Sequence, residues 1–143
     1  MKILFDTNVV LDVLLDREPF SEIASQLVSL AEDSTIKGVL GATTITTIFY
    51  LATKVAGKEK AKEEIKKLLT IFEISPVNRI VLEEATKLDF NDFEDAVLHE
   101  SAKYSGVHGI VTRNSGDFKK ASLSIYSPEE LYKILQSVED QSC

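Results

Sequence analysis

Ile3-Leu4-Phe5-Asp6-Thr7-Asn8 is a short apolar run that stops on a carboxylate, and a second aliphatic stretch, Val9 to Leu15, follows it. With no polar alternation, a run this short reads as a strand buried on both faces, and the second stretch as the helix leaving it. Asp6 then stands at the carboxyl end of a strand. Ligand crevices of open α/β sheets form at such ends, so a carboxylate there is a candidate metal or phosphate handler. The competing explanation is that Asp6 or Asn8 caps the next helix. Asp6 alone does not separate the two.

Working outward, 143 residues of ordinary apolar content, sparse in Gly and Pro, suit one domain spanning 1–143 with a sizeable core. No apolar stretch reaches membrane-span length, and Met1-Lys2 leads into too short a run for a signal peptide, so a cytoplasmic protein is expected. Cys143 is the only cysteine, which excludes an intramolecular disulfide and a thiolate metal cluster. The formal net charge of −7 argues against broad, nonspecific coating of nucleic acid. Local basic groups remain at Lys54, Lys58, Lys60, Lys62, Lys66 and Lys67, and at Arg113, Lys119 and Lys120. The first group reads mainly as a solvated helix face interspersed with Glu59, Glu63 and Glu64.

Helical spacing recurs from Phe20 to Ala31, from Thr43 to Gly57, along Ala61-Ile65-Leu68-Leu69, from Ile80 to Leu88 and from Asn91 to Tyr104. Between these lie short apolar pieces that read as strands: Gly38 to Gly41, Ile71 to Ile74, Ile110-Val111 and Leu123 to Tyr126. Ser127-Pro128-Glu129-Glu130 is a capping box opening a terminal helix, which is expected to fray from Val138 to Cys143. Strands alternating with helices predict a three-layer α/β/α sandwich around a parallel sheet of four to five strands with right-handed crossovers.

Asp92, Asp95 and His99 share helical spacing and are expected on one stripe, which is ordinarily a helix's wet side. Asp117 lies in the polar turn after the fourth strand. If the first and fourth strands are neighbours, Asp6, Asp95 and Asp117 meet at one end of the sheet. Carboxylates gathered in this way repel unless a cation neutralises them. Oxygen donors with little histidine and no cysteine point to Mg²⁺ or Mn²⁺, and phosphodiester hydrolysis is the natural chemistry of such a pocket. Arg113 is read either as a phosphate contact or as an ion-pair partner of Asp92, Glu94 or Asp117. His99 reads as a supporting or surface residue, and His108 as structural.

The stretches Ile3 to Asn8, Asp92-Phe93-Glu94-Asp95-Ala96 and Ile110 to Phe118 together resemble, in order and spacing, the three sequence blocks of PIN domains. The resemblance covers nearly the whole chain. It implies a metal-dependent nuclease with a central parallel sheet, of the kind found in small bacterial and archaeal VapC ribonuclease toxins. It implies Asp6 and Asp95 as metal-binding acids, completed by the Thr112-Arg113-Asn114 turn and Asp117, with Thr7 or Asn8 ordering the site. Asp92 is a further candidate ligand, and Thr47 a candidate supporting residue. An RNA substrate, an antitoxin partner and a homodimer are implied with it.

The sequence departs from the family pattern at two places. The glutamate usual early in the helix after the second strand is absent from Thr43-Thr44-Ile45-Thr46-Thr47, and the position after Thr112-Arg113, often aspartate, is Asn114. Thr43 and Thr44 read as capping and packing residues. A weakened domain that only binds RNA or protein is therefore the rival to the endoribonuclease. A third class, aspartyl-phosphate chemistry at Asp6, wants a second acid where the chain has Asn8.

Overall fold

The computed structural model describes residues 1–141. The chain runs β1 (Lys2–Phe5), α1 (Thr7–Leu14), α2 (Ser21–Glu32), β2 (Lys37–Gly41), α3 (Ala42–Ala56), α4 (Lys58–Ile71) and β3 (Glu73–Ser75). It continues through α5 (Arg79–Ala85), α6 (Phe93–Tyr104), β4 (Gly109–Val111), a single 3-10 turn (Ser115–Phe118), β5 (Ser124–Tyr126) and α7 (Pro128–Gln141). The five strands form one parallel sheet in the order β3-β2-β1-β4-β5. The expected α/β/α architecture is therefore present, with five strands. The strand order reverses beside β1, which pairs with β4 through Ile3 to Phe5 against Gly109 to Val111. This is the topological switch point, and its carboxyl-end crevice lies just beyond Phe5 and Val111.

The strand side chains alternate between two helical layers. Ile3, Phe5, Leu40 and Val111 pack with Val9 of α1, Leu27 of α2, Ile48 of α3, Leu68 of α4 and Leu131 of α7. Leu4, Val39 and Ile110 face the opposite way, onto Leu98 and Ala102 of α6 and onto Phe118. Helix α5 packs on α6 through Val81, Ala85, Ala96 and Val97. At the tip of β2 a Cβ on Gly41 would lie 2.7 Å from Leu98 Cδ1, so the missing side chain lets α6 close over the strand ends. That approach brings the first turn of α6 to the switch point.

Several boundaries move from their sequence positions. The third strand begins at Glu73, not Ile71, because Leu68 and Phe72, one helical turn apart, both enter the core and carry α4 through Ile71. Helix α5 stops at Ala85, and Lys87 and Leu88 close tighter turns onto Glu84 and Ala85. Helix α6 starts at Phe93, after Asp92 has capped it by accepting the Asp95 N–H at 3.2 Å. The capping box forms as read: the Glu130 N–H donates to Ser127 Oγ at 3.1 Å and the Ser127 N–H to Glu130 Oε1 at 3.3 Å. Helix α7 runs to Gln141, and the last two residues of the tail expected to fray lie outside the described ones. Among the described residues, no helix is long and apolar enough to cross a membrane.

Candidate active site

The site grows from the end of β1. The Asp6 N–H donates to the Val111 carbonyl at 2.9 Å, which extends the β1–β4 ladder and sets the carboxylate at the strand tip. Asp6 is also the N-cap of α1, its Oδ1 accepting the Thr7 N–H at 2.8 Å, so the two readings of this residue are not exclusive. Its Oδ2 accepts the Thr112 hydroxyl at 2.7 Å and the Asn8 side-chain amide at 3.3 Å. Thr112 is fully buried, and its Oγ1 also accepts the Asn114 N–H at 3.0 Å and Asn8 Nδ2 at 3.4 Å. The Arg113 N–H donates to Asn8 Oδ1 at 3.3 Å. Asn8 and Thr112 thus fix the orientation of one buried carboxylate.

Burial pushes the Asp6 carboxyl above its ordinary value, opposed by the bonds from Thr112 and Thr7 that favour the charged form; Asp117 and Glu94 push it further up. Asp95, in the first turn of α6 and only partly buried, is pushed up to about 7. Burial is the main cause, followed by the charges of Asp6, Asp92, Asp117 and Glu94. These mutual effects show carboxylates from β1, α6 and the 3-10 turn sharing one field at the end of the sheet. Asp117, on the exposed 3-10 turn, acts on both Asp6 and Asp95.

Other predicted residues take different places. Asp92 acts on Asp95 but is engaged as the α6 cap, and it shares no stripe with Asp95 and His99 because it lies outside the helix. His99 is buried, with Nδ1 2.8 Å from Glu100 Oε2 and Nε2 accepting the Ser122 N–H at 3.1 Å, so it joins α6 to the loop before β5. His108 is structural as read, its Nδ1 accepting the Lys2 N–H at 2.9 Å. Asn114 is exposed and contributes its N–H to Thr112. Thr47 sits about one turn further along α3 than Thr44, and among the described residues nothing hydrogen-bonds it to the site. Thr44 is buried and meets Thr7 hydroxyl to hydroxyl at 2.9 Å, so it packs rather than caps; the α3 N-cap is Gly41.

Arg113 pairs with none of its expected partners. Its Nε and Nη2 donate to Asp12 Oδ2 and Oδ1 at 2.6 and 3.1 Å, and its guanidinium lies 4.0 Å from the Phe20 ring centre. Of the basic group near the site, Lys120 is paired with Asp89, and Lys119 lines a cleft of about 90 Å³ with Asp117 and Gly116. Sequence reasoning passed over Asp12 and treated Glu94 only as an ion-pair option. The signal for Asp12 was a lone acid inside the aliphatic helix Val9 to Leu15; Glu94 was masked because acids in a first helical turn ordinarily complement the dipole.

The family model described as PIN domain matches residues 2–116. The chain belongs to the PIN-domain family. Ribonuclease VapC1 of Aquifex aeolicus (strain VF5) is 26% identical over 134 residues, covering 90% of this chain and 92% of that protein. Among solved structures, a toxin-antitoxin complex from Klebsiella pneumoniae superposes with a TM-score of 0.67 at 20% identity, over 88% of this chain and 97% of that one. VapC20 of Mycobacterium tuberculosis, titled a sarcin-ricin loop cleaving toxin, gives a TM-score of 0.67 at 17% identity, over 85% and 96%. At these identities the structural likenesses establish the fold. The start of α3 presents Thr44 and no acid, and Glu94 on α6 adds charge that acts on both Asp6 and Asp95.

Proposed function

We propose that this PIN domain is a divalent-metal-dependent endoribonuclease that hydrolyses phosphodiester bonds of single-stranded or structured RNA, and that it is the cytoplasmic toxin of a toxin-antitoxin pair. The observation that carries the reading is the meeting of Asp6, Asp95, Asp117 and Glu94 at the switch point, where burial first and the neighbouring carboxylates second push Asp95 up to about 7. A site that resists its own ionisation is matched to a cation. The similarity to Ribonuclease VapC1 supports RNA as the substrate, and the Klebsiella complex supports an antitoxin partner. A homodimer belongs to the same proposal.

The donor set is all oxygen, which fits Mg²⁺ or Mn²⁺. Among the described residues, no three acidic, histidine or cysteine side chains are already gathered closely enough to hold one ion. Asp6, Asp95 and Asp117 would hold it, with Asp92 and Glu94 adding charge. When bound, such an ion supplies positive charge to phosphate oxygens and lowers the cost of ionising a nearby water. The chain's own part is orientation. Thr112 and Asn8 hold Asp6 Oδ2 in one direction, so this oxygen is set before any ion arrives.

The test is cleavage of single-stranded RNA with Mn²⁺, with EDTA, and after Asp6→Asn or Asp95→Asn. Loss of at least about 100-fold in each variant and in EDTA is expected; metal-independent cleavage, or full activity of both variants, sinks the proposal. The acid-free start of α3 favours the rival, a weakened module that binds RNA or protein without cutting. Calorimetry separates the two, because submillimolar Mn²⁺ binding lost in Asp6→Asn speaks against a dead site.

A further inference from the structure

Asp12, on α1, is 1% exposed and has no part in the chemistry described above. Its carboxylate receives both arms of the Arg113 guanidinium, at 2.6 and 3.1 Å, and Arg17 stands 3.8 Å away. Phe20 covers the guanidinium face at 4.0 Å. Arg113, whose side chain is 24% exposed, is thus held by a fork and by an aromatic face. Buried ion pairs are seldom the most stabilising filling for such a space, since apolar residues of similar volume often do as well or better. What such a pair supplies is a fixed geometry.

The geometry is specific. Asn8 and Asp12 are one helical turn apart on the same face of α1 and grip the same residue: Asn8 Oδ1 takes the Arg113 main-chain N–H at 3.3 Å, and Asp12 takes its side chain. On one side of Arg113 is Thr112, whose hydroxyl holds Asp6 Oδ2 at 2.7 Å. On the other is Asn114, whose N–H holds Thr112 Oγ1 at 3.0 Å and which leads into the turn carrying Asp117. We propose that Asp12 is a positioning residue: through Arg113 it locks the 112–114 turn onto α1 and so fixes the Asp6 carboxylate and the approach of Asp117.

The proposal rests on the nuclease reading for its functional consequence, although the clamp itself is independent of any metal. Three variants test it: Asp12→Asn, Arg113→Met, and the double variant Asp12→Leu/Arg113→Met, which removes both charges. In the metal-free protein, hydrogen exchange at the Arg113 and Asn114 amides is expected to speed up at least about tenfold in Asp12→Asn, at temperatures well below its melting point. Mn²⁺ affinity by calorimetry is expected to fall about 10–100-fold, the usual effect of removing an outer partner of a ligand. With RNA, kcat falls while KM stays within about threefold, and raising Mn²⁺ recovers much of kcat. The double variant loses no more than the worse single one, because both residues act through one strut.

A phosphate-binding Arg113 predicts the opposite split, with Arg113→Met raising KM and Asp12→Asn leaving it active. That result overturns the proposal, as does a folded Asp12→Asn protein with unchanged amide exchange and Mn²⁺ affinity. Should Asp12→Asn fail to fold, the measurements pass to the double variant; if that fails too, the pair serves only stability and the proposal is wrong. Absence of Mn²⁺ binding and cleavage in the wild-type protein would instead overturn the nuclease reading, with the amide-exchange result still deciding the clamp.

Discussion

Replacing Asp95 by Asn should stabilise the metal-free protein at pH 8. Folding pushes the Asp95 carboxyl from 3.8 up to about 7, so the native state resists an ionisation that the unfolded chain accepts. At about 1.36 kcal/mol per pKa unit the full effect would approach about 4 kcal/mol. Asp95 is only partly buried, and screening by water and salt reduces this to about 1–2 kcal/mol. An acid in the first turn of α6 also gains about 0.3–1 kcal/mol from the helix dipole, which Asn forfeits. Burial and repulsion win, leaving a net gain of about 1 kcal/mol, or about 3 °C in Tm for a domain of this size.

The sign depends on pH in a defined way. Below the ordinary carboxyl value both states are protonated and Asn gains nothing. The penalty on the wild type builds as pH rises from about 4 to about 7 and is constant above that. Calorimetric melting of both proteins in EDTA, from pH 4 to pH 8, measures it directly. A Tm advantage equal at pH 4 and pH 8, or a variant less stable than wild type at pH 8, refutes the reasoning. Adding Mn²⁺ at pH 8 should reverse the order, because an ion that binds the ionised carboxylates stabilises only the wild type.

Thr112→Val removes the hydroxyl that favours ionised Asp6, so the Asp6 carboxyl rises further and the acidic limb of the Mn²⁺-supported pH–rate profile moves to higher pH; a limb left in place contradicts this. His99→Ala strips the Ser122 N–H of its acceptor and Glu100 of its partner in a buried site, and should cost about 2–4 kcal/mol in urea unfolding. Ser127→Ala breaks the capping box of α7 and should cost about 1 kcal/mol, with no effect on Mn²⁺ affinity because the cap belongs to a helix outside the site.

The legible parts of the sequence were those where local pattern and tertiary demand agree. Ile3 to Phe5 are apolar without alternation because helices cover both faces of β1, and Ser127 with Glu130 stood out because a cap is satisfied within one turn. Periodicity could not end α4 correctly, since Phe72 continues the helical stripe into the core after the strand pattern has begun. Spacing set Asp95 and His99 on one stripe, but His99 faces the interior, where Ser122 and Glu100 satisfy it. The ion-pair partner of Arg113 was missed for a physical reason. Spacing along the chain shows which acids are close in sequence, whereas Asp12 reaches Arg113 only because β1 and β4 are paired.

The acids of the site fall into two mechanical classes, and this bears on the missing glutamate of α3. Asp6 is nearly buried and tied by Thr7, Asn8 and Thr112, so its direction is set before anything binds. Glu94 and Asp117 are exposed, and Asp95 is partly so. Their side chains retain rotamer freedom and repel one another. A fixed acid surrounded by adjustable ones does not need every ligand in place in advance; charge can be drawn in from whichever element lies nearest. Here the first turn of α6, which Leu98 packs against Gly41 over the strand ends, carries Asp95 and Glu94. Under the proposed function the adjustable charge therefore comes from α6 and the 3-10 turn with none from the start of α3, and the Asp6 network is the part whose disruption such a site can least absorb.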